Sequence, residues 1–256
     1  MIRLGGVTKR YGSFTAVHPL DLTVERGELF GFLGPNGAGK TTTIRMVTGV
    51  LRPSAGTIHI AGTDMLRDPI RAKQYIGYIP DRPMVYEKLT GAEFLRFVSG
   101  LWGRDDAATA KRAVELLDLF ELTAWADTLV ESYSHGMRQK LLICSALVHS
   151  PDLIVVDEPM VGLDPRAARM VKDLLRAFAD RGGTVFLSTH TLEVAEALCD
   201  RIAILHQGRI RAAGTMDELR TQAASGAAGL EEIFLKLTGS DDVQQLIDSM
   251  RPTPAA

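Results

Sequence analysis

Eight consecutive residues, Gly34-Pro35-Asn36-Gly37-Ala38-Gly39-Lys40-Thr41, constrain this chain more than any other stretch, and Thr42 follows them. They read G-x-x-x-x-G-K-[ST], the spacing of a phosphate-binding loop, the P-loop. Glycines let the backbone turn tightly and bring successive N–H groups close to an anion. Lys40 sets a compact positive charge against the β- and γ-phosphates, and the Thr41 hydroxyl can ligate Mg²⁺. The apolar residues 28–33 precede the loop, and residues 43–47 continue after it with helical spacing. Strand, glycine loop and helix in that order aim a helix N-terminus at a phosphate.

At 256 residues the chain is expected to form one large domain, or one domain with a subdomain. Its 29 basic and 31 acidic residues leave a net charge of -2, without the basic excess of a nucleic-acid binder, so no nucleic-acid partner is expected. The two cysteines, Cys144 and Cys199, sit in apolar surroundings and read as small buried hydrophobes of a reducing compartment. No apolar run approaches the ~20 residues that span a bilayer, and Met1-Ile2-Arg3-Leu4 carries no apolar signal region. The chain is therefore expected to be soluble by itself, with any membrane role supplied by a partner.

Up to about Ile60 the pattern is of short strands: Arg3-Leu4, Val7, Phe14 to Val17, Leu20 to Val24, Leu29 to Leu33 and Thr57 to Ile60. Another strand-like run, Ile76-Gly77-Tyr78-Ile79, stops at Pro80, and Asp81 follows. From Thr90 to about Ser150 the pattern is helical, opened by the capping box Thr90-Gly91-Ala92-Glu93. This block, about residues 84–150, reads as a helical subdomain inserted before the next core strand. Two later runs, residues 153–156 and 184–188, are apolar without alternation, as parallel strands buried on both faces are. A hairpin around Gln207-Gly208 and a capping box at Thr215 to Glu218 follow. Residues 222–229 read as a small-residue linker, Leu230, Ile233, Phe234 and Leu237 as a short amphipathic helix, and residues 251–256 as a disordered tail. The expected fold is α/β, a P-loop core with a mostly parallel sheet, an N-terminal antiparallel β subdomain and the helical insertion.

Several residues invite chemistry. Asp157 and Glu158 end the run at residues 153–156, and open α/β sheets bind ligands at the carboxyl ends of their strands. With a P-loop upstream, Asp157 suits Mg²⁺ and Glu158 suits activation of a water by general-base chemistry. Tyr11 serves equally well as a core filler or as a platform for a flat base. Ser134 is first of all a helix N-cap, and only secondarily, with Gly136, a phosphate-binding helix start. Gly162-Leu163-Asp164-Pro165 turns into a helix, with Pro165 in its first turn. His190, at a strand end, is either a surface residue or a hydrogen-bond donor to a γ-phosphate.

Taken in order, from Ile2 to Glu218, these residues resemble the ATP-binding subunit of an ABC (ATP-binding cassette) transporter, and within that family the single-cassette exporters of the ABC-2 type. The resemblance makes Tyr11 the adenine-stacking aromatic, Gly34 to Thr42 the P-loop and Asp81 the occupant of the Q-loop glutamine position. Ser134-His135-Gly136-Met137 looks like the signature, normally Ser-Gly-Gly-Gln. Residues 153–158 match the Walker B strand, Gly162 to Pro165 the D-loop with Asp164, and His190 the switch histidine. Three positions depart from the family: Asp81 brings an anion for an amide, His135 a side chain for a glycine, and Met137 a thioether for an amide.

The resemblance implies a cytoplasmic ATPase, peripheral on the inner face of the membrane, bound to a membrane-spanning permease and powering transport, with export as the expected direction. It implies a head-to-tail homodimer or heterodimer of cassettes with ATP and Mg²⁺ at the interface. The P-loop, Tyr11, Asp81 and Asp164 of one chain, with Ser134, Gly136 and Met137 of the other, would bind the nucleotide. Thr41, Asp81 and Asp157 would hold the metal, and Lys40, Glu158 and His190 would be catalytic. Tyr86-Glu87-Lys88-Leu89 is a candidate contact for the permease. The ATPase domain would span residues 1–220, with residues 221–256 as linker, helix and tail. Two other readings are an ABC ATPase acting on ribosomes or DNA, and a P-loop kinase of a small metabolite. The first is disfavoured by a single cassette without sustained heptads. The second predicts no pairing and a phosphorylated acceptor in place of free phosphate.

Overall fold

The apolar run that ends in Asp157 forms a strand with all five residues buried, flanked on both sides by parallel strands of the larger sheet. The computed structural model describes residues 1–160, 162–223 and 229–239; most of the expected linker and all of the expected tail lie outside them. In chain order the elements are β1 (Ile2–Tyr11), β2 (Phe14–Val24), β3 (Leu29–Leu33), α1 (Lys40–Val47), β4 (Ala55–Ile60), β5 (Thr63–Asp64), α2 (Pro69–Lys73), β6 (Ile76–Ile79), α3 (Gly91–Leu101), α4 (Ala107–Leu119), α5 (His135–Leu147), β7 (Leu153–Asp157), α6 (Pro165–Asp180), β8 (Thr184–Thr189), α7 (Leu192–Leu198), β9 (Arg201–His206), β10 (Arg209–Gly214), α8 (Met216–Gln222) and α9 (Leu230–Thr238).

Two sheets result. The larger runs β10-β9-β3-β8-β7-β6; its strands are parallel except for the β9–β10 hairpin at one edge. The smaller is antiparallel, in the order β2-β1-β4-β5. β3, β7 and β8 are buried at every position, which is why their sequences lack alternation. Phe30 and Phe32 of β3 pack on Phe186 of β8, with ring centroids 5.9 and 5.2 Å apart. These rings join the inner faces of the two sheets into one apolar cluster with Leu4, Val17, Ile44 and Ile58.

The N-terminal strands are longer than their sequence suggests. Arg3-Leu4 and Val7 belong to one strand, β1, and residues 14–17 and 20–24 to another, β2. Irregular register between Leu4, Val7, Lys9 and Arg10 breaks the two-residue alternation that sequence reading relies on. Pro19 sits within β2 because β2 is an edge strand, where its missing N–H costs no ladder bond. The short α2 and α7 were not expected from the sequence; they are too brief for helical periodicity to show.

Between β6 and β7 the chain forms α3, α4 and α5. The Thr90 capping box is present: Glu93 N–H donates to Thr90 Oγ1 at 3.2 Å, and Thr90 N–H donates to Glu93 Oε2 at 2.8 Å. Phe94, Leu95, Leu116, Leu117, Phe120, Leu141 and Leu142 pack together and continue onto Val156 and Leu187 of the large sheet. Cys144 is buried in this cluster, which pushes its thiol upward and leaves it inert; Cys199 is half-buried, and both are free.

His149 closes the seam between this block and β6. Its ring stacks on Trp102 at 4.4 Å, and its Nε2 lies 3.0 Å from the Ile76 carbonyl, which accepts the proton it carries. Burial lowers its pKa to about 4. The unfolded chain takes up this proton near pH 6.5, before the folded chain does, so stability is complete above that pH and falls as acid carries the chain toward pH 4. A His149→Phe chain keeps a ring on Trp102 and lacks this titration. In urea titrations at successive pH values the wild type is expected to lose up to about 3 kcal/mol more than the variant across that window. Parallel profiles would remove His149 as the cause.

Candidate active site

The P-loop is shaped by close approaches that only glycine permits. A Cβ on Gly34 would stand 2.3 Å from the Leu205 carbonyl oxygen of β9. Gly39, at φ 106°, is the N-cap of α1, and a Cβ there would stand 2.9 Å from the Ala16 carbonyl. Pro35 accepts from Ala38 N–H at 3.1 Å, and Ala38 accepts from Gly208 N–H at 2.9 Å, which ties the loop to the β9–β10 turn. Gly37 has φ +80° and open space around it; Asn36 is exposed. α1 then begins at Lys40, so its free N–H groups open onto the loop.

Lys40 is buried, and its Nζ donates to the carbonyls of Gly34 at 2.7 Å and Pro35 at 3.2 Å. Burial lowers its pKa, while Glu158 and Asp157 act the other way and favour the charged form. Asp157, the last residue of β7, is 1% exposed. Neither of its carboxylate oxygens makes a well-formed hydrogen bond, nor does the buried hydroxyl of Ser188, its register partner on β8. The Thr41 and Ser188 hydroxyls lie close enough to favour ionisation, but burial outweighs them, and Asp81 and Glu158 add to the upward shift. A buried carboxylate without a partner suits a cation better than a structural role. Among the described residues no three His, Cys, Asp or Glu side chains form a cation cage. Mg²⁺ commonly takes only one or two carboxylates and completes its shell with phosphate and water. The Thr41 hydroxyl and the Asp157 carboxylate fit that donor set.

Glu158 follows with φ 51°, a left-handed conformation that costs a non-glycine residue about 1–2 kcal/mol. The turn is held by its N–H, which donates to the Ser188 carbonyl at 3.0 Å. The strained backbone aims the side chain away from the strand axis, where Oε1 meets His190 Nδ1 at 2.9 Å. Glu158 keeps 17% of its side chain exposed and His190 59%, so the pair stands at the mouth of the site and not in the core. Lys40, Thr41, Asp157, Glu158 and His190 thus collect at the carboxyl ends of β3, β7 and β8, with half-buried Asp81 just past β6 acting on Asp157 through its charge.

The other residues singled out in the sequence are held differently. Tyr11 ends β1 with 50% of its surface exposed, so it is not core filler; Lys9 Nζ stands 5.2 Å from its ring centroid. Ser134 is the N-cap of α5, and Met137 N–H donates to its Oγ at 3.3 Å. The Met137 side chain packs against the helical block's core. Gly136 is half-buried, and the exposed His135 ring fills the space beside Gly162: a Cβ on Gly162 would stand 2.4 Å from His135 Cδ2. Asp164 caps α6 by accepting from Ala167 N–H at 2.9 Å, which holds its carboxyl below the usual range. Sequence reading passed over Ser188 and the Gly208 turn. A serine in the otherwise apolar β8 was the available signal for Ser188; Gly208 was read as hairpin punctuation only.

A glycine loop that opens a helix, beside a buried carboxylate and a Glu–His pair at the mouth of the site, defines a P-loop nucleotide hydrolase. The family model described as ABC transporter matches residues 17–161. The chain is 43% identical over 229 residues to the daunorubicin/doxorubicin resistance ATP-binding protein DrrA of Streptomyces peucetius, covering 90% of this chain and 69% of that one. It is 36% identical to the linearmycin resistance ATP-binding protein LnrL of Bacillus subtilis (strain 168), covering 92% and 78%. A solved ATP-binding subunit of an ABC transporter superposes with TM-score 0.88 at 34% identity, covering 93% of this chain and 99% of that one. The cassette MJ0796, solved as a dimer bound to ADP and phosphate, superposes with TM-score 0.77 at 26% identity, covering 84% and 99%. The chain belongs to the ABC transporter family. It is an ATP-binding and ATP-hydrolysing subunit that powers transport, and action on ribosomes or DNA is not favoured. Among the described residues no helix is long and apolar enough to cross a membrane.

Proposed function

We propose that this chain pairs head to tail with a second cassette, identical or a sibling, and couples ATP hydrolysis between them to export through a separate membrane-spanning permease. The reading puts the chain on the cytoplasmic face of the membrane, held there by the permease. It assigns residues 1–220 to the ATPase domain, residues 84–150 to its helical insertion, and residues 221–256 to linker, helix and tail. One observation carries it: Lys40, Asp157, Glu158 and His190 converge at the ends of neighbouring parallel strands. The resistance proteins among the relatives, and a Nod factor export ATP-binding protein of Ralstonia nicotianae at 39% identity, favour export as the direction.

In this reading the P-loop N–H groups and Lys40 hold the β- and γ-phosphates, and Tyr11 carries the base. Thr41, Asp157 and Asp81 would hold Mg²⁺, which would neutralise phosphate charge. Phosphoryl transfer needs positioning more than covalent help. Glu158 accepts a proton from the attacking water, and His190, through its 2.9 Å contact, orients the carboxylate and faces the γ-phosphate. Ser134, Gly136 and Met137 of the second chain, through the N-terminus of α5, meet the same phosphate, and Asp164 keeps the adjoining turn in shape. A phosphate held by two chains favours closure because it binds the closed pair better than the open one.

Ion pairs support a route from the permease to the signature helix. Glu87 accepts from Arg138 Nη1 at 2.6 Å, Lys88 pairs with Glu131, and Glu131 N–H donates to the Glu87 carbonyl at 3.0 Å. These join residues 86–89 to the start of α5, while the exposed Tyr86 ring packs edge-on against Phe97 at 5.2 Å. A permease seated on this surface would therefore move the signature helix. Asp81 tests the metal end of the same route. Asp81→Ala is expected to lower permease-coupled ATPase activity about tenfold and to raise the Mg²⁺ concentration for half-maximal rate. Unchanged activity and Mg²⁺ dependence would make Asp81 incidental.

A further inference from the structure

Phe14 is the first residue of β2 and lies directly opposite Tyr11, across the two-residue turn Gly12-Ser13. Residues opposed across an antiparallel pair project to the same face, with Cβ atoms about 4.5–5.5 Å apart. Both rings are left in water: Tyr11 is 50% exposed and Phe14 65%. Single exposed apolar side chains need no explanation, but two aromatics paired at one hairpin tip, beside a phosphate-binding loop, form a surface.

That surface is fixed relative to the P-loop. Two residues beyond Phe14, the Ala16 carbonyl stands 2.9 Å from where a Cβ of Gly39 would be. His18 N–H donates to the Gly208 carbonyl at 2.9 Å, and Gly208 N–H donates to Ala38. The start of β2 is thereby pinned to both the loop and the β9–β10 turn. One face of Tyr11 is already occupied: the Lys9 ammonium lies over it and is anchored by donating to the Arg52 carbonyl at 2.8 Å. A flat group arriving at Tyr11 must use what remains, and Phe14 supplies the neighbouring aromatic surface.

We infer that Phe14 is a second nucleobase contact, so that the base of the bound nucleotide rests against two aromatic side chains at the β1–β2 tip and not on Tyr11 alone. This rests on the reading of Tyr11 as the base platform. Stacking is tolerant of base identity because every base has a π-face, so the contact strengthens ATP and GTP alike and leaves the triphosphate to the P-loop.

The test measures dissociation constants for Mg²⁺-ATP, Mg²⁺-GTP and Mg²⁺-tripolyphosphate on the dilute, unpaired full chain, for wild type, Phe14→Ala, Phe14→Tyr and Tyr11→Ala. Phe14 is exposed, so the substitutions spare the core. Phe14→Ala is expected to weaken ATP and GTP about five- to twentyfold with tripolyphosphate unchanged, and Phe14→Tyr to restore most of the loss. Wild-type ATP affinity in Phe14→Ala would overturn the inference. So would an equal loss for tripolyphosphate, which would trace the effect to a displaced P-loop. Wild-type ATP affinity in Tyr11→Ala would sink the reading beneath it, and the Phe14 result would show separately whether Phe14 binds the base on its own.

Discussion

Replacing Glu158 with Gln leaves ATP binding intact, slows multi-turnover hydrolysis about a hundredfold or more, and accumulates a nucleotide-bound pair of chains. The magnitude follows from the role: a positioned general base contributes about 10²–10⁴-fold. Glutamine keeps the volume and the hydrogen bond to His190 Nδ1 while losing the basic carboxylate. It also removes one negative charge near Lys40 and Asp157 and leaves the P-loop untouched, so affinity for ATP is retained. Light scattering or gel filtration in excess ATP reads the pairing, and phosphate release reads the turnover. Multi-turnover hydrolysis at the wild-type rate would strip Glu158 of its role. A chain that never pairs, even with hydrolysis blocked, would end the head-to-tail proposal altogether.

The second large effect separates two glycines of one loop. Gly34→Ala places a methyl 2.3 Å from the Leu205 carbonyl oxygen, a rigid β9 backbone atom. Either β9 or the P-loop must move, at a cost of about 3 kcal/mol. Thermal unfolding is expected to fall by about 6–12 °C for a domain of this size, with ATP binding lost as the loop is displaced. Gly37→Ala meets no neighbouring atom, and its φ of +80° costs only the left-handed preference, about 1 kcal/mol. It is expected to lower the melting temperature by about 2–4 °C. Equal effects at the two positions would show that conformational freedom, and not proximity to β9, is what Gly34 supplies.

The departures from the family pattern gain a physical account from packing. The Met137 side chain is absorbed by the helical block's core, and the backbone N–H that Ser134 caps is independent of side-chain identity. His135 is accommodated because Gly162 leaves it room; the ring occupies the place a side chain at 162 would need. Asp81 remains the consequential change, since it brings a charge to bear on a carboxylate that burial already disfavours.

Much of this was readable from residue order. The P-loop, the apolar runs of β3, β7 and β8, the capping boxes at Thr90 and Thr215 and the helical block are local patterns, set by backbone sterics, periodicity and capping chemistry within a few residues. Those patterns fix the α/β class, and the order of the motifs points to the family. The uninterrupted β1 and β2 were hidden because their alternation is broken by irregular register and by Pro19, both of which depend on which strand lies alongside.

Sequence alone determined the nucleotide loop, the buried strands and the identity of the carboxylates at their ends. Read one by one, Tyr11 and His190 stayed open, and only the resemblance assigned them roles, because exposure and pairing are relations between distant segments. Tertiary structure exposed Tyr11 opposite Phe14, set His190 against Glu158 and left Asp157 buried without a partner. It could do so because the parallel sheet brings residues from separate loops to one edge, and burial there changes what a charge is worth.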